Sequence, residues 1–175
     1  YIDEETQYFE INKDIVSGRF WGGEAKFTRR FSGRHHLSAG TEWRHSFRGN
    51  QVNYDEPDYV LYMDSREQTT DFGTYIQGEF AARDNVLLSA GVRYDHYSTF
   101  GGATNPRFGL VYAPWENTTA KLLYGHAFRA PNLFELYYND GYSSKPNPEL
   151  QPERIKTLEL VLEQRIHRKF RISGS

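Results

Sequence analysis

Hydrophobic and polar residues alternate with a period of two along most of the chain. In the run 21–28, Trp21 and Phe27 share one face while Glu24 and Lys26 share the other. The same alternation recurs in 37–44, 72–80, 88–95, 107–112, 122–128 and 157–164. Because side chains of a β-strand point to opposite faces in turn, this pattern predicts strands, and no segment longer than a turn has helical periodicity. The sequence therefore predicts an all-β chain of consecutive antiparallel hairpins.

The connections between these strands are predicted to alternate between short and long. Tight turns are expected near residues 33, 83, 115 and 168, and extended loops near 58, 100 and 142. Residues 1–17 are predicted to be the end of a loop, and 48–69 a long connection. A sheet with minimal turns at one end and elaborated loops at the other is typical of an outer-membrane barrel.

Aromatic residues fall into two groups, one at each end of the predicted strands. Aromatic rings prefer the boundary between lipid and water, so two groups flanking an aliphatic band indicate a membrane barrel. The short-turn group is Phe27, Phe31, Phe80, Tyr112 and Trp115, and the long-loop group is Trp21, Trp43, Phe47, Phe72 and Tyr94.

Composition agrees with this interpretation. Phe, Trp and Tyr make up 16% of the chain, the mean hydropathy is −0.76, and no apolar run approaches 18 residues. These values exclude a helical membrane span but not a barrel, whose strands are apolar only at alternate positions. Alternation by itself also fits a soluble β-sandwich. The loop asymmetry and the aromatic groups favour the antiparallel transmembrane β-barrel, present as an incomplete segment of consecutive hairpins.

The register follows from the cost of placing charge in lipid. A slip of one residue would turn a row of cations outward, where each costs about 2–4 kcal/mol at mid-depth. We therefore expect Leu37, Leu88, Val92, Leu122, Leu158, Leu160 and Leu162 to face lipid. Facing the lumen we expect Glu42, Arg44, Arg93, Arg107, Lys121, Glu159 and Glu163.

Other classes of function find little support. A net charge of −2 with interspersed signs gives no case for nucleic acid, and the absence of cysteine excludes thiolate sites. No catalytic motif is present, and no catalytic residue, metal site or cofactor is predicted. Residues 55–58 (Asp-Glu-Pro-Asp) resemble a calcium-binding cluster but lack its spacing and glycine, so a solvated loop is favoured. The chain begins without Met or a signal sequence, and we expect an internal fragment of a longer protein.

Three segments resemble one family. They are the segment 124–137 (YGHAFRAPNLFELY), the segment 147–153 (NPELQPE) followed by Leu158-Glu159-Leu160, and the segment 90–95 (AGVRYD) with Asn105-Pro106-Arg107. In this order and hairpin phase they resemble the TonB-dependent outer-membrane receptors, over roughly residues 70–166.

The resemblance implies a barrel of about 22 strands with a plugged lumen in the outer membrane of a Gram-negative bacterium. Residues 1–175 would be part of that barrel domain, with the plug domain and the remaining strands absent. The whole protein would import a ferric siderophore or cobalamin, contact the TonB complex through the missing plug, lie in outer-membrane lipid and be a monomeric barrel. A passive porin-like barrel or a soluble all-β binding module remain the alternatives.

Candidate site residues lie in the predicted long loops. Rigid amphipathic rings suit contact with a bulky chelate, although they also suit packing of loop against loop. The candidates for ligand contact are Tyr54, Tyr59, Tyr62, Tyr137, Tyr138 and Tyr142. A structural role, holding strand ends and folding the loop over the lumen, is expected for Arg129, Asn132, Glu135 and Glu153.

Overall fold

The computed structural model describes residues 9–175 as one antiparallel sheet of eight strands, which pair in sequence order. A single short helix interrupts the strands. The elements are β1 (Ile11–Phe31), β2 (His35–Glu56), β3 (Val60–Arg83), β4 (Val86–Tyr97), β5 (Gly101–Trp115), β6 (Thr118–Arg129), α1 (Leu133–Tyr137), β7 (Glu153–His167) and β8 (Phe170–Gly174). The sheet does not close on itself within the described residues, and β1 and β8 form its two edges.

The strand register confirms the predicted division into two faces. Leu88 pairs with Leu110, Leu110 with Leu122, and Leu122 with Leu160, so one row of leucines crosses four strands on the same face. We call this the outward face. The predicted leucines and Val92 all share its parity.

The opposite face, which we call the lumenal face, carries the predicted charges. Arg93 Nε lies 2.8 Å from Asp95 Oδ1, and the same guanidinium contacts Glu42. Lys121 Nζ lies 2.5 Å from Glu163 Oε1. Arg93 thus reaches across β3 to Glu42 on β2, and Lys121 pairs with its neighbour on β7. Both cations are neutralised on the side away from the leucines.

The two aromatic groups lie on the outward face, as predicted. Trp21 and Trp43 contact edge to face with ring centroids 4.4 Å apart, and Trp43 is paired with Phe72 on β3. Phe27 and Phe80 belong to the group near the short turns and are 63% and 56% exposed. An aliphatic band separates the two groups, which is the arrangement of a membrane barrel wall.

Three predicted loops are wrong in extent. Residues 11–17 belong to β1, while Tyr1 and Tyr8 of the predicted loop 1–17 lie outside the described residues. The predicted connection 48–69 is mostly strand, because β2 and β3 continue to a three-residue turn at 57–59. The predicted extended loop near residue 100 is likewise a three-residue turn, 98–100.

The two ends of the sheet therefore differ chiefly in how far the strands extend, and less in the length of the loops. β1, β2 and β3 have 21, 22 and 24 residues, whereas a membrane-spanning strand needs about 9–11. The surplus extends the hairpins beyond the membrane at the end away from the short turns. Only the predicted loop near residue 142 is irregular over a long stretch, from 130 to 152.

Helix α1 lies in this loop and was not predicted. It has five residues, which is too short for periodicity to reveal. Among residues 9–175, none of the helical structure is long and apolar enough to cross a membrane.

Candidate functional site

The loop 130–152 leaves the top of β6 and returns to β7, and an ionic clamp closes its base. Arg129 Nη1 lies 2.9 Å from both carboxylate oxygens of Glu135, and Arg129 Nη2 lies 2.7 Å from Glu153 Oε1. One guanidinium therefore joins the end of β6, the helix of the loop and the start of β7. Two carboxylates raise the pKa of Arg129, so its charge is fixed.

Helix α1 begins with a capping box. The Asn132 side chain accepts a hydrogen bond from the backbone N–H of Glu135, and Glu135 accepts one from the backbone N–H of Asn132, both at 2.9 Å. This reciprocal pair satisfies two N–H groups that have no partner within the helix. The bond from the Asn132 backbone and the nearby Arg129 hold the pKa of Glu135 below its ordinary value.

Apolar contacts hold the helix on the lumenal side of the β2–β3 extension. Leu136 is only 1% exposed, which makes it the most buried apolar side chain among the described residues. The Leu133 methyl group lies where a Cβ at position 49 would be, so Gly49 permits this close approach. The backbone N–H of Asn147 closes the loop onto the Leu136 carbonyl at 2.8 Å.

A first polar cluster joins the loop to β1 and β2. Tyr138 donates a hydrogen bond to Asp14 Oδ1 at 2.9 Å, and Asn53 Nδ2 donates to the same oxygen at 2.7 Å. Asn53 is fully buried. Burial and the bond to Asp14 raise the pKa of Tyr138 to about 12, so its hydroxyl remains a donor at neutral pH.

A second cluster surrounds Asp55. Tyr62 donates to Asp55 Oδ2 at 2.6 Å, Asn12 donates to Asp55 Oδ1 at 2.8 Å, and the Tyr142 hydroxyl lies 2.7 Å from that of Tyr62. The hydrogen bond from Tyr62, then that from Asn12, lowers the pKa of Asp55. The cluster links the middle of the loop to three strands beyond the membrane band.

The tip between these clusters is ordered by Asp140. Its carboxylate accepts hydrogen bonds from the Ser143 hydroxyl at 2.6 Å and from the backbone N–H groups of Ser144 and Tyr142. These bonds, led by that from the Ser143 hydroxyl, hold the pKa of Asp140 far below its ordinary value. Gly141 has a φ of 78°, which a glycine adopts without strain.

The structure brings together some of the six tyrosines suggested for ligand contact and separates others. The hydroxyls of Tyr62, Tyr138 and Tyr142 form hydrogen bonds within the two clusters. This is the result expected if these tyrosines pack the loop against the strands. Tyr54 and Tyr59 form a separate pair with ring centroids 5.1 Å apart. Tyr137 is half-buried, and its burial, followed by the charge of Glu67, raises its pKa. Arg129, Asn132, Glu135 and Glu153 do meet in one network.

Sequence reasoning missed the partners of these tyrosines. Asn12 and Asp14 lay in a segment predicted to be loop, and Asn53 lay inside a predicted connection. The spacing Asn132-x-x-Glu135 is that of a capping box, so it could have predicted the start of α1. Nothing in the sequence pairs Asp14 with Tyr138, which are 124 residues apart.

A recess of about 590 Å³ opens beside the second cluster, lined by Glu10, Asn12, Asp55 and Tyr142. Its size is within the range of about 300–1,000 Å³ for small-molecule sites. Tyr142 is 71% exposed, so its ring is accessible from the mouth. Over the described range 9–175, no three His, Cys, Asp or Glu side chains form a group suited to a metal ion.

Comparison with known proteins gives a consistent family. Residues 2–174 match the family model described as TonB dependent receptor-like, beta-barrel. An iron-regulated outer membrane virulence protein of Vibrio cholerae is 30% identical over 74% of this chain and 20% of its own length. The vitamin B12 transporter BtuB of Vibrio cholerae is 36% identical over 42% of this chain and 12% of its own length.

Solved structures share the fold. A mutant of the ferric enterobactin receptor of Pseudomonas aeruginosa has a TM-score of 0.65 at 20% identity, over 98% of this chain and 27% of that one. The siderophore receptor PirA of Pseudomonas aeruginosa gives 0.66 at 22% identity, over 88% of this chain and 29% of that one. The chain thus spans about a fifth of the length of the first of these relatives and little more than a quarter of the structures.

Proposed function

Because the chain belongs to the β-barrel family of TonB-dependent receptors, which lie in the outer membrane and are transporters rather than enzymes, we propose that the full-length protein imports a ferric siderophore. In this proposal, uptake is energised through TonB by way of a plug domain, and residues 1–175 contribute part of the barrel domain. The names of the relatives support a siderophore: one is iron-regulated and another is a ferric enterobactin receptor.

Cobalamin is the second candidate. The observation in its favour is the similarity to the vitamin B12 transporter BtuB, at 36% identity over 74 residues. Both ligands are bulky and rigid, and both suit a mouth lined with aromatic rings and hydrogen-bonding groups.

The observation that carries the proposal is the inward fold of loop 130–152. Its clamp, its helix and its two polar clusters hold a tyrosine-rich surface beside a recess on the lumenal side of the β2–β3 extension. We propose that the exposed ring of Tyr142 beside the recess and the exposed ring of Tyr59 at the hairpin tip contact the ligand. Tyr54, which is opposite Lys13 on the outward side of β2, packs against Tyr59. Tyr62 and Tyr138 hold the surface in place, as do Arg129, Asn132, Glu135 and Glu153.

Uptake assays on a strain lacking the full-length gene test this proposal. We expect loss of energised uptake of either ⁵⁵Fe-labelled enterobactin or ⁵⁷Co-labelled cobalamin, restored by the gene in trans. A protonophore should abolish uptake but leave binding at the cell surface. Uptake of a small unrelated solute that is insensitive to the protonophore would instead support a passive porin-like barrel, and unchanged uptake of a panel of iron chelates and cobalamin would contradict the proposal.

A further inference from the structure

Two pairs of basic side chains lie on the outward face just beyond the aromatic group at the long-loop end. In the first pair, Arg19 on β1 is directly opposite Arg48 on β2. Arg19 lies two residues beyond Trp21 on the same face, and Arg48 follows Phe47 at a β-bulge. Like charges directly opposite each other on a sheet are destabilising, so this pair is unfavourable unless an anion lies between the two side chains.

The second pair lies on β7. Arg154 and Lys156 are both exposed and alternate with Glu153 and Ile155, so they share the outward face with Leu158. His126 of β6 is opposite Lys156, and its Nε2 lies 2.6 Å from the Tyr124 hydroxyl.

Both pairs lie at a similar height in the barrel wall. Each of the four cations is roughly 12 to 15 residues from the nearest short turn. A strand rises about 3.3 Å per residue and a barrel strand tilts by about 40°, so this separation corresponds to roughly 30–38 Å along the membrane normal. The apolar band of a barrel is about 25 Å tall, which places these cations at headgroup depth.

At the long-loop end, other cations on the outward face are neutralised. Further from the membrane, Lys13 contacts Glu56, and Arg66 Nη2 lies 2.9 Å from Asp64 Oδ2. By contrast, within residues 9–175 no acidic side chain lies within ion-pair distance of Arg19, Arg48, Arg154 or Lys156. At the long-loop end, uncompensated cations on the outward face are thus confined to one level of the wall. At the opposite end, Arg29 is a further outward cation outside the ion pairs of the described residues, and its guanidinium lies over the Phe31 ring.

We infer that these two pairs form a basic collar that binds the phosphate groups of lipids in the outer leaflet. Guanidinium groups bind phosphate oxygens in a bidentate geometry, and a phosphate between Arg19 and Arg48 would replace their repulsion with two charge-assisted bonds. The aromatic rings below would contact the upper acyl chains of the same lipid. The inference rests on the register and the membrane location, and is independent of which ligand is transported.

A fluorescent label beside the first pair reports the local lipid composition. Gly23 is suited to the label, because it lies on the outward face near Trp43 and an added Cβ would meet nothing within 4 Å. The full-length protein with Gly23→Cys, labelled with a nitrobenzoxadiazole dye, is reconstituted in phosphatidylcholine. Quenching is then compared at equal mole fractions of phosphatidylglycerol and phosphatidylcholine that carry a nitroxide on the acyl chain.

We expect the nitroxide phosphatidylglycerol to quench more strongly than the nitroxide phosphatidylcholine. Quenching gives the ratio of phosphatidylglycerol to phosphatidylcholine beside the label. This ratio should fall by about fivefold or more in the double variant Arg19→Gln, Arg48→Gln, since each basic residue near an anionic surface raises the local binding of anionic lipid by a factor of about five. The variant Arg19→Lys, Arg48→Lys should keep most of the preference. The charge-matched control is Lys26→Gln, Arg107→Gln on the lumenal face, which should leave the ratio unchanged.

The same design with Leu158→Cys tests Arg154 and Lys156. An equal ratio in the wild type and the glutamine variants would overturn the inference, as would an equal loss in the lumenal control. If millimolar inorganic phosphate removed the preference as completely as the glutamine variant does, the site would bind a soluble anion instead of lipid, and the inference would also be wrong.

Discussion

Arg129 is the residue on which the base of loop 130–152 depends, because it is the only group among residues 9–175 that contacts both Glu135 and Glu153. Replacing it by glutamine leaves two carboxylates near each other without a cation. We expect Arg129→Gln to speed amide hydrogen exchange in 130–152 by about threefold to tenfold, the range for loss of exposed ion pairs. Exchange measured by mass spectrometry on the full-length protein checks this.

The control is Arg154→Gln, which removes a cation from the same end of the hairpin but on the outward face. It should leave exchange in the loop unchanged. Equal protection in Arg129→Gln and the wild type would show that Leu136 and the tyrosine clusters hold the loop without the clamp.

Order in the loop should also depend on pH through Asp140 and Glu135. Both pKa values are lowered from their ordinary values of 3.8 and 4.5. The two carboxylates therefore contribute fully to the stability of the loop at pH values above their ordinary pKa values. This contribution is lost as the pH falls through their lowered pKa values. We expect a spin label at Lys145→Cys to keep constant mobility from about pH 8 to pH 5 and to gain mobility below about pH 4.

Asp140→Asn supplies the comparison for this pH dependence. Its amide cannot ionise, so most of the change in mobility at acid pH should disappear, and the label should be more mobile at neutral pH. A transition centred near neutral pH would contradict the assignment, because neither carboxylate titrates there.

Exposed tyrosines at the mouth provide a prediction about affinity. We expect Tyr59→Ala and Tyr142→Ala each to raise the Kd of the transported ligand by about tenfold, through loss of an aromatic contact. Tyr59→Phe should bind almost normally because the ring remains. Ligand titration by intrinsic fluorescence is the measurement, and Tyr112→Ala, near the short turns, is the control. Unchanged affinity in both alanine variants would restrict the tyrosines to loop packing.

At the level of the strands, neighbouring residues of β6 separate the two faces cleanly. Leu122 lies in the outward row between Leu110 and Leu160, while Leu123 lies on the lumenal face between Gly109 and Glu159. The two are almost equally exposed, at 37% and 38%. An arginine on the lipid side near mid-depth destabilises a barrel by about 2–4 kcal/mol, whereas the lumenal side tolerates it.

We therefore expect Leu122→Arg to lower the free energy of unfolding in vesicles by about 2–4 kcal/mol and Leu123→Arg to lower it by much less. Urea titration of the full-length protein, followed by the heat-modifiable mobility of the folded barrel, gives both values. A larger effect for Leu123→Arg would invert the assignment of faces.

Alternation was enough to predict the strands and their faces, because a shift of one residue would expose every charge to lipid. It was not enough to predict where strands end. β2 runs on through Asn53 and Asp55, although Asn and Asp residues are uncommon in strands. Both residues are stabilised there by hydrogen bonds with side chains from β1, from loop 130–152 and, for Asp55, from Tyr62 on β3. Such tertiary contacts leave no periodic signal. The connection near residue 100 was predicted too long because Gly101 and Gly102 are unfavourable in strands, yet both residues pair with β4.

Across the whole molecule, the sheet has two edges whose outer backbone groups have no partner strand among residues 9–175. β1 is 21 residues long, and its outward face is rich in exposed apolar side chains such as Ile15 and Trp21. A long, apolar edge pairs readily with another copy, and in lipid an open edge leaves unsatisfied N–H and C=O groups. Members of the family avoid both edge pairing and unsatisfied backbone groups, because further strands close the barrel.

We therefore expect residues 1–175, expressed alone, to aggregate in water and to give no folded monomer in detergent. Size-exclusion chromatography with light scattering, together with circular dichroism, should show β-rich oligomers that lack a cooperative unfolding transition. The full-length protein purified in the same detergent is the control and should be monomeric. A cooperatively unfolding monomer of residues 1–175 would mean that the eight strands bury their own edges, and the sheet would then be a self-contained unit instead of a wall whose stability comes from closure.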